Sequence, residues 1–346
     1  MKSRVRGAIA ALIACLQAVA VAAPSRSDPL ADFYAGKHID FVVGGNAGGG
    51  YDIYSRAIGR YLGTYIPGNP AIVVRNMPGA GSIIATRYLY NQASKDGLTI
   101  GSIFRGAVME PLLGDAQAAK YDPRRFAFLA SANSETSLCL ARGDAPVKTF
   151  ADLFEKELIV SAAGRGTSIH DLPLVLKNVL GVKLKLVTGY KGTPDSLLAV
   201  EQGEVQGICG YELSSLNAQA PTWVQEGKVT LLVQLGMTPL PELVKLGVPS
   251  IWEFVKTDKD RGALELIFGQ LDFGRPFVTP PDVPRVRVQA LRTAFAAVFK
   301  DPGFLADAHR LKLDLEPMSG EAVQALVTKL YAASPDQVEL ARKASE

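Results

Sequence analysis

Two glycine-rich segments carry the residues of this chain that are best suited to bind a ligand. Residues 44–52 read Gly-Gly-Asn-Ala-Gly-Gly-Gly-Tyr-Asp, and residues 163–168 read Ala-Gly-Arg-Gly-Thr-Ser. Glycine lets the backbone approach a ligand closely, and the free N–H groups at a helix start lie at the positive end of the helix dipole. A glycine loop between a strand and a helix therefore predicts a binding site for an anion.

The elements around both segments have the order that such a site requires. Strand 39–43 and helix 52–65 flank the first segment, and strand 158–162 and helix 168–179 flank the second. Further strands, separated by helices, are predicted at 71–76, 98–104, 183–187 and around Cys209. This alternation predicts an α/β fold with two lobes, each a mainly parallel sheet flanked by helices. Ligands of such sheets bind at the carboxyl ends of the strands.

The predicted lobe boundaries follow from where the alternation restarts. Lobe 1 comprises residues 28–136 plus 272–346, and lobe 2 comprises residues 137–271. The proline-rich segment 273–281 is predicted to cross between the lobes in an extended form. Amphipathic helices near 284–300 and 320–333 are expected to return the chain to lobe 1. Two crossings make a hinge, which suits a cleft that closes on a small molecule.

The N-terminus has the order of a secretory signal peptide. Three basic residues precede an apolar stretch and then a region of small residues that ends at Ala22. We expect cleavage of residues 1–22 and a periplasmic location. The alternative is a lipoprotein, because Leu12-Ile13-Ala14-Cys15 resembles a lipobox in which Cys15 would be lipidated. The apolar stretch is shorter than the ~20 residues that a membrane span needs.

The charge balance argues against nucleic acid as a partner. The sequence has 37 Lys and Arg against 34 Asp and Glu, and loss of Lys2, Arg4 and Arg6 with the signal would leave 34 of each sign. The sequence also lacks a basic stripe interleaved with aromatic residues, which nucleic-acid-binding proteins commonly show. No nucleic-acid partner is expected.

Cys139 and Cys209 are the cysteines that follow the predicted signal peptide. Each lies in a strand-like run, so a disulfide is possible if the two strands are neighbours, with two buried free thiols as the alternative. The sequence has three histidines and no Cys-x-x-Cys pair. Neither a metal site nor a cofactor is therefore expected.

Seven short motifs, in their order along the chain, resemble those of the Bug receptors, the substrate-binding proteins of tripartite tricarboxylate transporters. They lie at residues 42–52, 76–82, 95–97, 121–123, 164–170, 189–192 and 280–284. The resemblance implies a type II periplasmic binding protein with a two-lobed Venus-flytrap fold. It implies a small organic carboxylate as the ligand, held largely by backbone amides and bound water. It also implies the large and small membrane subunits of a transporter as partners, and we expect a monomer.

The candidate ligand-binding residues lie on the two loops or at the ends of neighbouring strands. They are Asn46, Gly48, Gly49, Gly50, Tyr51, Asp52, Gly81, Phe104, Arg105, Gly164, Arg165, Gly166, Thr167, His170, Tyr190 and Tyr211. Several have an alternative role. Asp52 is favoured as the N-cap of its helix. His170 could pack against neighbouring side chains or cap its helix. Both Tyr190 and Tyr211 could belong to the hydrophobic core.

Arg105 and Arg165 are placed among the candidates by position alone. Arg105 follows the third predicted strand, and Arg165 lies inside the second glycine loop. Either guanidinium could bind a carboxylate through two parallel hydrogen bonds. An exposed arginine is more often solvated or loosely paired with a surface acid, so both interpretations are kept.

Two other functions were weighed against a carboxylate receptor. Glycine loops also occur in nucleotide-binding enzymes, but the sequence lacks the Walker pattern, the third Rossmann glycine and the Gly-x-Ser-x-Gly elbow, so an enzyme is not favoured. A sensor that presents its closed form to a histidine kinase stays open, because the outer surfaces of the lobes would decide it. The favoured function is a periplasmic receptor that delivers its ligand to a membrane permease.

Overall fold

The structure is a computed structural model, and it describes residues 28–345. The predicted signal peptide, residues 1–22, and the alternative lipidation site at Cys15 lie outside the described residues. Among residues 28–345, no helix combines the length and the apolar character that crossing a membrane requires.

Two sheets form the frame of the described chain. Their strands are β1 (His38–Val43), β2 (Ala71–Asn76), β3 (Thr99–Ser102), β4 (Ala127–Ser131), β5 (Ser137–Arg142), β6 (Leu158–Ala162), β7 (Leu184–Thr188), β8 (Gly207–Glu212), β9 (Val229–Leu235), β10 (Pro276–Thr279) and β11 (Met318–Ser319). The first sheet has the order β11-β4-β10-β3-β1-β2, and the second has the order β7-β6-β8-β5-β9.

Helices cover both sheets. They are α1 (Pro29–Tyr34), α2 (Gly50–Leu62), α3 (Ile83–Asn91), α4 (Arg105–Leu113), α5 (Ala116–Ala119), α6 (Ser168–Leu180), α7 (Thr193–Gln202), α8 (Leu213–Gln219), α9 (Pro241–Lys245), α10 (Asp258–Phe268), α11 (Arg285–Val298), α12 (Pro302–Arg310), α13 (Gly320–Leu330) and α14 (Pro335–Ser345). A short 3₁₀ helix, Ala151–Phe154, precedes β6.

Parallel strands predominate in both sheets, as predicted, but each sheet is mixed because it also contains antiparallel strand pairs. In the first sheet β1 pairs in parallel with β2 and β3, whereas β10 runs antiparallel to β3 and β4. In the second, β6 is parallel to β7 and β8, and β5 is antiparallel to β8 and β9. Strands β5 and β10 each begin directly after the chain passes from one sheet to the other. The preceding strand of each lies in the other sheet, so neither strand completes a βαβ unit and the βαβ sequence pattern does not reveal its direction.

The C-terminal helices are divided between the two sheets. Helix α11 packs against β4 and α2, and α13 packs against β4, as expected for a return to the first sheet. Helix α14 contacts α6 and α10, which belong to the range predicted for lobe 2, and also α4, which belongs to the range predicted for lobe 1. The exact lobe boundaries stay a prediction.

The two cysteines lie opposite each other on neighbouring strands. Cys139 of β5 pairs in register with Cys209 of β8, and the two residues are joined by a disulfide. Both are fully buried. The bond ties the antiparallel strand of the second sheet to its parallel part.

Candidate functional site

A cavity of about 360 Å³ lies between the two sheets, at the carboxyl ends of their parallel strands. Loops and helix starts from both sheets line it. The candidate residues that line it are Asn46, Gly49, Gly50, Tyr51, Gly81, Phe104, Arg105, Gly164, Gly166, Thr167 and Tyr190. The structure thus brings most of the candidates together, although they come from two separate sheets.

Four helices begin at the cavity. Their first residues, Gly50 of α2, Arg105 of α4, Ser168 of α6 and Thr193 of α7, all line it. The four helix starts are not capped by a side-chain hydrogen bond from their N-cap residue. Their first-turn N–H groups and the positive ends of their dipoles together make the cavity suited to an anion.

Asp52 supports the first loop from outside the cavity lining. It is the third residue of α2, whose N-cap is Gly49, so its prediction as the N-cap is wrong by three positions. Its carboxylate accepts hydrogen bonds from the backbone N–H of Gly48 (2.9 Å) and from the side chains of Arg56 and Asn76. Burial alone would raise the pKa of Asp52, but these hydrogen bonds outweigh burial and hold the pKa below its usual value.

Four further candidates also lie outside the cavity lining. Gly48 is exposed in the turn before α2, at a positive φ of 77°. His170 Nδ1 lies 2.8 Å from the Asp171 carboxylate. Tyr211 is fully buried in β8, where its hydroxyl donates to Gln219. Arg165 is exposed beside a second cavity of about 50 Å³. For these residues the structural alternatives describe the placement better than ligand contact does.

Four buried charged residues form what we call the floor of the cavity: Arg105, Glu135, Glu212 and Arg275. Arg105 pairs with Glu212 at 2.9 Å, and Arg275 pairs with Glu135 at 3.3 Å. Each side chain is at most 8% exposed. Burial raises the pKa of Glu135, and the charge of Arg275 opposes this. Each arginine has a carboxylate partner, so the Arg105 guanidinium is already paired within the protein rather than free for a ligand.

The floor also joins the two sheets mechanically. Arg275, which precedes β10, donates to the hydroxyls of Ser214 and Ser215 on α8. Its guanidinium lies over the rings of Tyr51 (4.9 Å) and Tyr54 (4.6 Å) on α2. These contacts connect the first sheet's helix α2 to the second sheet's helix α8 at the point where the chain crosses between sheets.

Five residues form what we call the rim, where the two sides of the cleft touch: Asn46, Gly81, Gly106, Gly166 and Lys191. The Asn46 side-chain amide donates to the Lys191 carbonyl. A methyl group on Gly106 would lie 2.3 Å from the Gly166 carbonyl oxygen, closer than any real contact. A methyl group on Gly81 would lie equally close to the Arg165 carbonyl. The rim therefore closes by direct backbone approach, which the glycines permit.

Sequence reasoning missed more than half of the lining residues. They are Gly44, Gly45, Pro78, Gly79, Ala80, Ser82, Gly106, Ala163, Ser168, Ile169, Lys191, Gly192, Thr193, Pro194, Glu212, Ser215 and Arg275. Residues 78–82 and 191–192 belong to two of the motifs quoted above, so that signal was available. Glu212 and Arg275 have no local signal, because their partners are distant in sequence.

Comparison with protein families gives one match. The model described as the tripartite tricarboxylate transporter family receptor matches residues 66–334. The chain belongs to this receptor family. No curated protein sequence matches the receptor at a significant level.

Solved structures show that the fold of this chain is similar to that of several binding proteins. The periplasmic binding protein BugD superposes with a TM-score of 0.71 at 23% identity, over 90% of this chain and 98% of BugD. MatC from Rhodopseudomonas palustris with bound malate gives 0.67 at 21% identity, over 90% and 99% of the two chains. R. palustris Rpa4515 with adipate gives 0.68 at 20% identity, over 89% and 97%. These likenesses show the two-lobed periplasmic binding protein fold, as predicted.

Proposed function

We propose that the chain is a periplasmic solute receptor that binds a small organic carboxylate in the cavity between its lobes. As a single copy, it would deliver this ligand to the large and small membrane subunits of a tripartite tricarboxylate-type transporter. The observation that carries the proposal is the convergence of four helix starts, from both sides of the cleft, on one cavity. Backbone N–H groups at helix starts recognise a carboxylate without a dedicated side chain.

The ligands of related structures support a carboxylate. MatC is described with malate and Rpa4515 with adipate, and both are dicarboxylates of small size. A ligand that touches both sides of the cleft would favour the closed form over an open one, since binding shifts the population toward the state with more contacts.

A receptor accounts for the site better than an enzyme does. Among the described residues that line the cavity, none is a cysteine or a histidine. The lining acid Glu212 is paired with Arg105, and the neighbouring Ser168 hydroxyl accepts a hydrogen bond from the same Arg105. Both groups are thus held by a charge pair rather than arranged as a nucleophile with a base that activates it. The cavity therefore offers binding groups without an arrangement for acid–base or nucleophilic catalysis.

The test is a thermal-shift screen of monocarboxylates, dicarboxylates and tricarboxylates, with neutral sugars and amines as comparison compounds. A carboxylate present at 100 times its Kd should stabilise the protein by about 2.7 kcal/mol and raise Tm measurably. Stabilisation by a sugar or an amine, with no response to any carboxylate, would contradict the proposal.

A variant pair locates the site. Gly49 lines the cavity at the N-cap of α2, so Gly49→Val places a branched side chain among the proposed anion-binding groups. We expect carboxylate affinity to fall at least tenfold, which corresponds to about 1.4 kcal/mol. The matched control is Gly262→Val, because Gly262 lies in α10 and a Cβ there meets no atom within 4 Å. Equal affinities of the two variants would move the site elsewhere.

A further inference from the structure

The floor of the cavity bears on which carboxylates the site accepts. We propose that Glu212 is a specificity-determining residue: by neutralising Arg105, it makes the cavity select ligands with one ionised carboxylate and an apolar body over dicarboxylates and tricarboxylates. This inference rests on the proposed function, because it specifies the ligand class of the same site.

Arg105 has few donors left for a ligand. Its Nη2 donates to Ser168 Oγ at 2.7 Å and to Glu212 Oε1 at 2.9 Å, and its Nη1 donates to the carbonyl of Gly274 at 3.3 Å. Both Nη2 hydrogens are therefore used within the protein. The side chain is 3% exposed, so it is held in place by these partners rather than extended into the cavity.

The charge of the second arginine of the lining is compensated as well, although its buried Nε has no hydrogen-bond partner among the described residues. Arg275 Nη2 donates to the hydroxyls of Ser214 (2.6 Å) and Ser215 (3.1 Å) and lies 3.3 Å from the Glu135 carboxylate. The aromatic rings of Tyr51 and Tyr54 lie against its guanidinium. Neither arginine is thus available as an uncompensated charge for a second ligand carboxylate.

Glu212 carries the negative charge that this neutralisation requires. Burial favours the neutral acid, but the charges of Arg105 and Arg275 outweigh burial and lower the pKa of Glu212 below its usual value. The carboxylate is therefore ionised at neutral pH. The pair Arg105–Glu212 presents no net charge to the cavity, and Glu212 itself repels an anion placed next to it.

The remaining lining fits an apolar ligand body. Tyr51 and Phe104 form an aromatic wall with ring centroids 4.4 Å apart, and Ile169 and Pro194 also line the cavity. The remaining lining cation of the described residues is Lys191, an exposed residue at the rim, where water screens its charge. A second carboxylate deeper in the cavity would lose its hydration without gaining a free cation.

The first test is isothermal titration calorimetry on the whole exported chain with matched ligand pairs: butyrate with succinate, and hexanoate with adipate. Within each pair, we expect the monocarboxylate to bind at least tenfold more tightly. If the dicarboxylate binds equally well or better, the inference is overturned while the proposed function stands. If no carboxylate binds, the proposed function fails. These titrations use the wild-type protein only, and they distinguish the three outcomes.

The second test uses two variants at the pair. Glu212→Gln leaves the Arg105 charge uncompensated, so the monocarboxylate-to-dicarboxylate affinity ratio should fall at least tenfold. The double variant Arg105→Gln with Glu212→Gln removes both charges and keeps a polar side chain at each position, and it should keep the wild-type ratio. A ratio that is unchanged in folded Glu212→Gln, or that shifts toward dicarboxylates in the double variant, would overturn the role of Glu212.

Discussion

The rim and the floor close the same cavity by opposite physical means. At the rim, the two sides touch through uncharged groups. Gly106 lies against Gly166, and the side-chain amide of Asn46 donates to the Lys191 carbonyl. At the floor, they are joined by buried side-chain charges, with Arg105 on Glu212 and Arg275 on Glu135. Rim contacts depend on close approach and on a hydrogen bond between uncharged groups, whereas floor contacts depend on charge compensation.

This difference shows where the cleft is able to open. Separating backbone groups at the rim exposes them to water, which replaces their hydrogen bonds at little net cost. Separating the floor would leave buried charges without partners, which costs several kcal/mol. We therefore expect opening to occur at the rim while the floor acts as the fixed side of the hinge.

The largest effect should come from breaking the floor. Arg275→Ala leaves the Glu135 carboxylate buried without its cation and empties the space between Tyr51 and Tyr54. We expect the free energy of unfolding to fall by about 3–5 kcal/mol, measured by urea denaturation. The control is Arg310→Ala, which removes an exposed ion pair with Asp307 and should cost at most about 1 kcal/mol. Similar losses in the two variants would refute the contrast between floor and surface.

A smaller effect should come from obstructing the rim. The Gly106→Ala methyl group would meet the Gly166 carbonyl at 2.3 Å only when the cleft is closed. Overpacking of about 1–3 kcal/mol should lower carboxylate affinity roughly 5- to 150-fold, measured by calorimetry, without lowering the stability of the ligand-free protein. Gly262→Ala, which adds the same group to a helix where nothing lies within 4 Å, should bind like the wild type. Wild-type affinity in Gly106→Ala would mean that closure does not require this contact.

The smallest of the three effects tests Asp52, whose carboxylate supports the loop that carries the rim residue Asn46. Asp52→Asn weakens the hydrogen bonds to Gly48 and Arg56 and should lower the free energy of unfolding by about 1–2 kcal/mol at neutral pH. Because the folded-state pKa of Asp52 lies below its unfolded value, the stabilisation is complete above about pH 4 and is lost as pH falls through the folded pKa. Denaturation of both proteins between pH 2 and pH 7 measures the difference. A difference that does not shrink in acid would argue against the carboxylate as its cause.

Local features of the fold were predictable because they depend on neighbouring residues. The strand 39–43, the glycine loop after it and the following helix have signals of apolar spacing and glycine content within about 25 residues. The same holds for strand 158–162 and helix 168–179. Such local signals do not indicate the direction of strands β5 and β10, because the strands that pair with them come from distant parts of the chain. The antiparallel direction of these two strands was therefore not predicted.

The candidate site divides in the same way. Glycines 49, 50, 81, 164 and 166 could be predicted because close backbone approach at a helix start needs glycine, and the chain offers few other choices there. Arg105 was found by its position at a strand end, but its buried ion pair was not predicted. Its partner Glu212 lies 107 residues away, and nothing in either local sequence indicates the pairing.

By itself, the sequence determined that two glycine loops precede helices in two α/β units, and this was enough to predict a site for an anion. The tertiary structure alone decided which charges are free to meet that anion. Backbone N–H groups keep their function wherever the loop folds, because their chemistry is local. A side-chain charge acts on a ligand only if no closer opposite charge cancels it, and the position of that opposite charge depends on the whole fold.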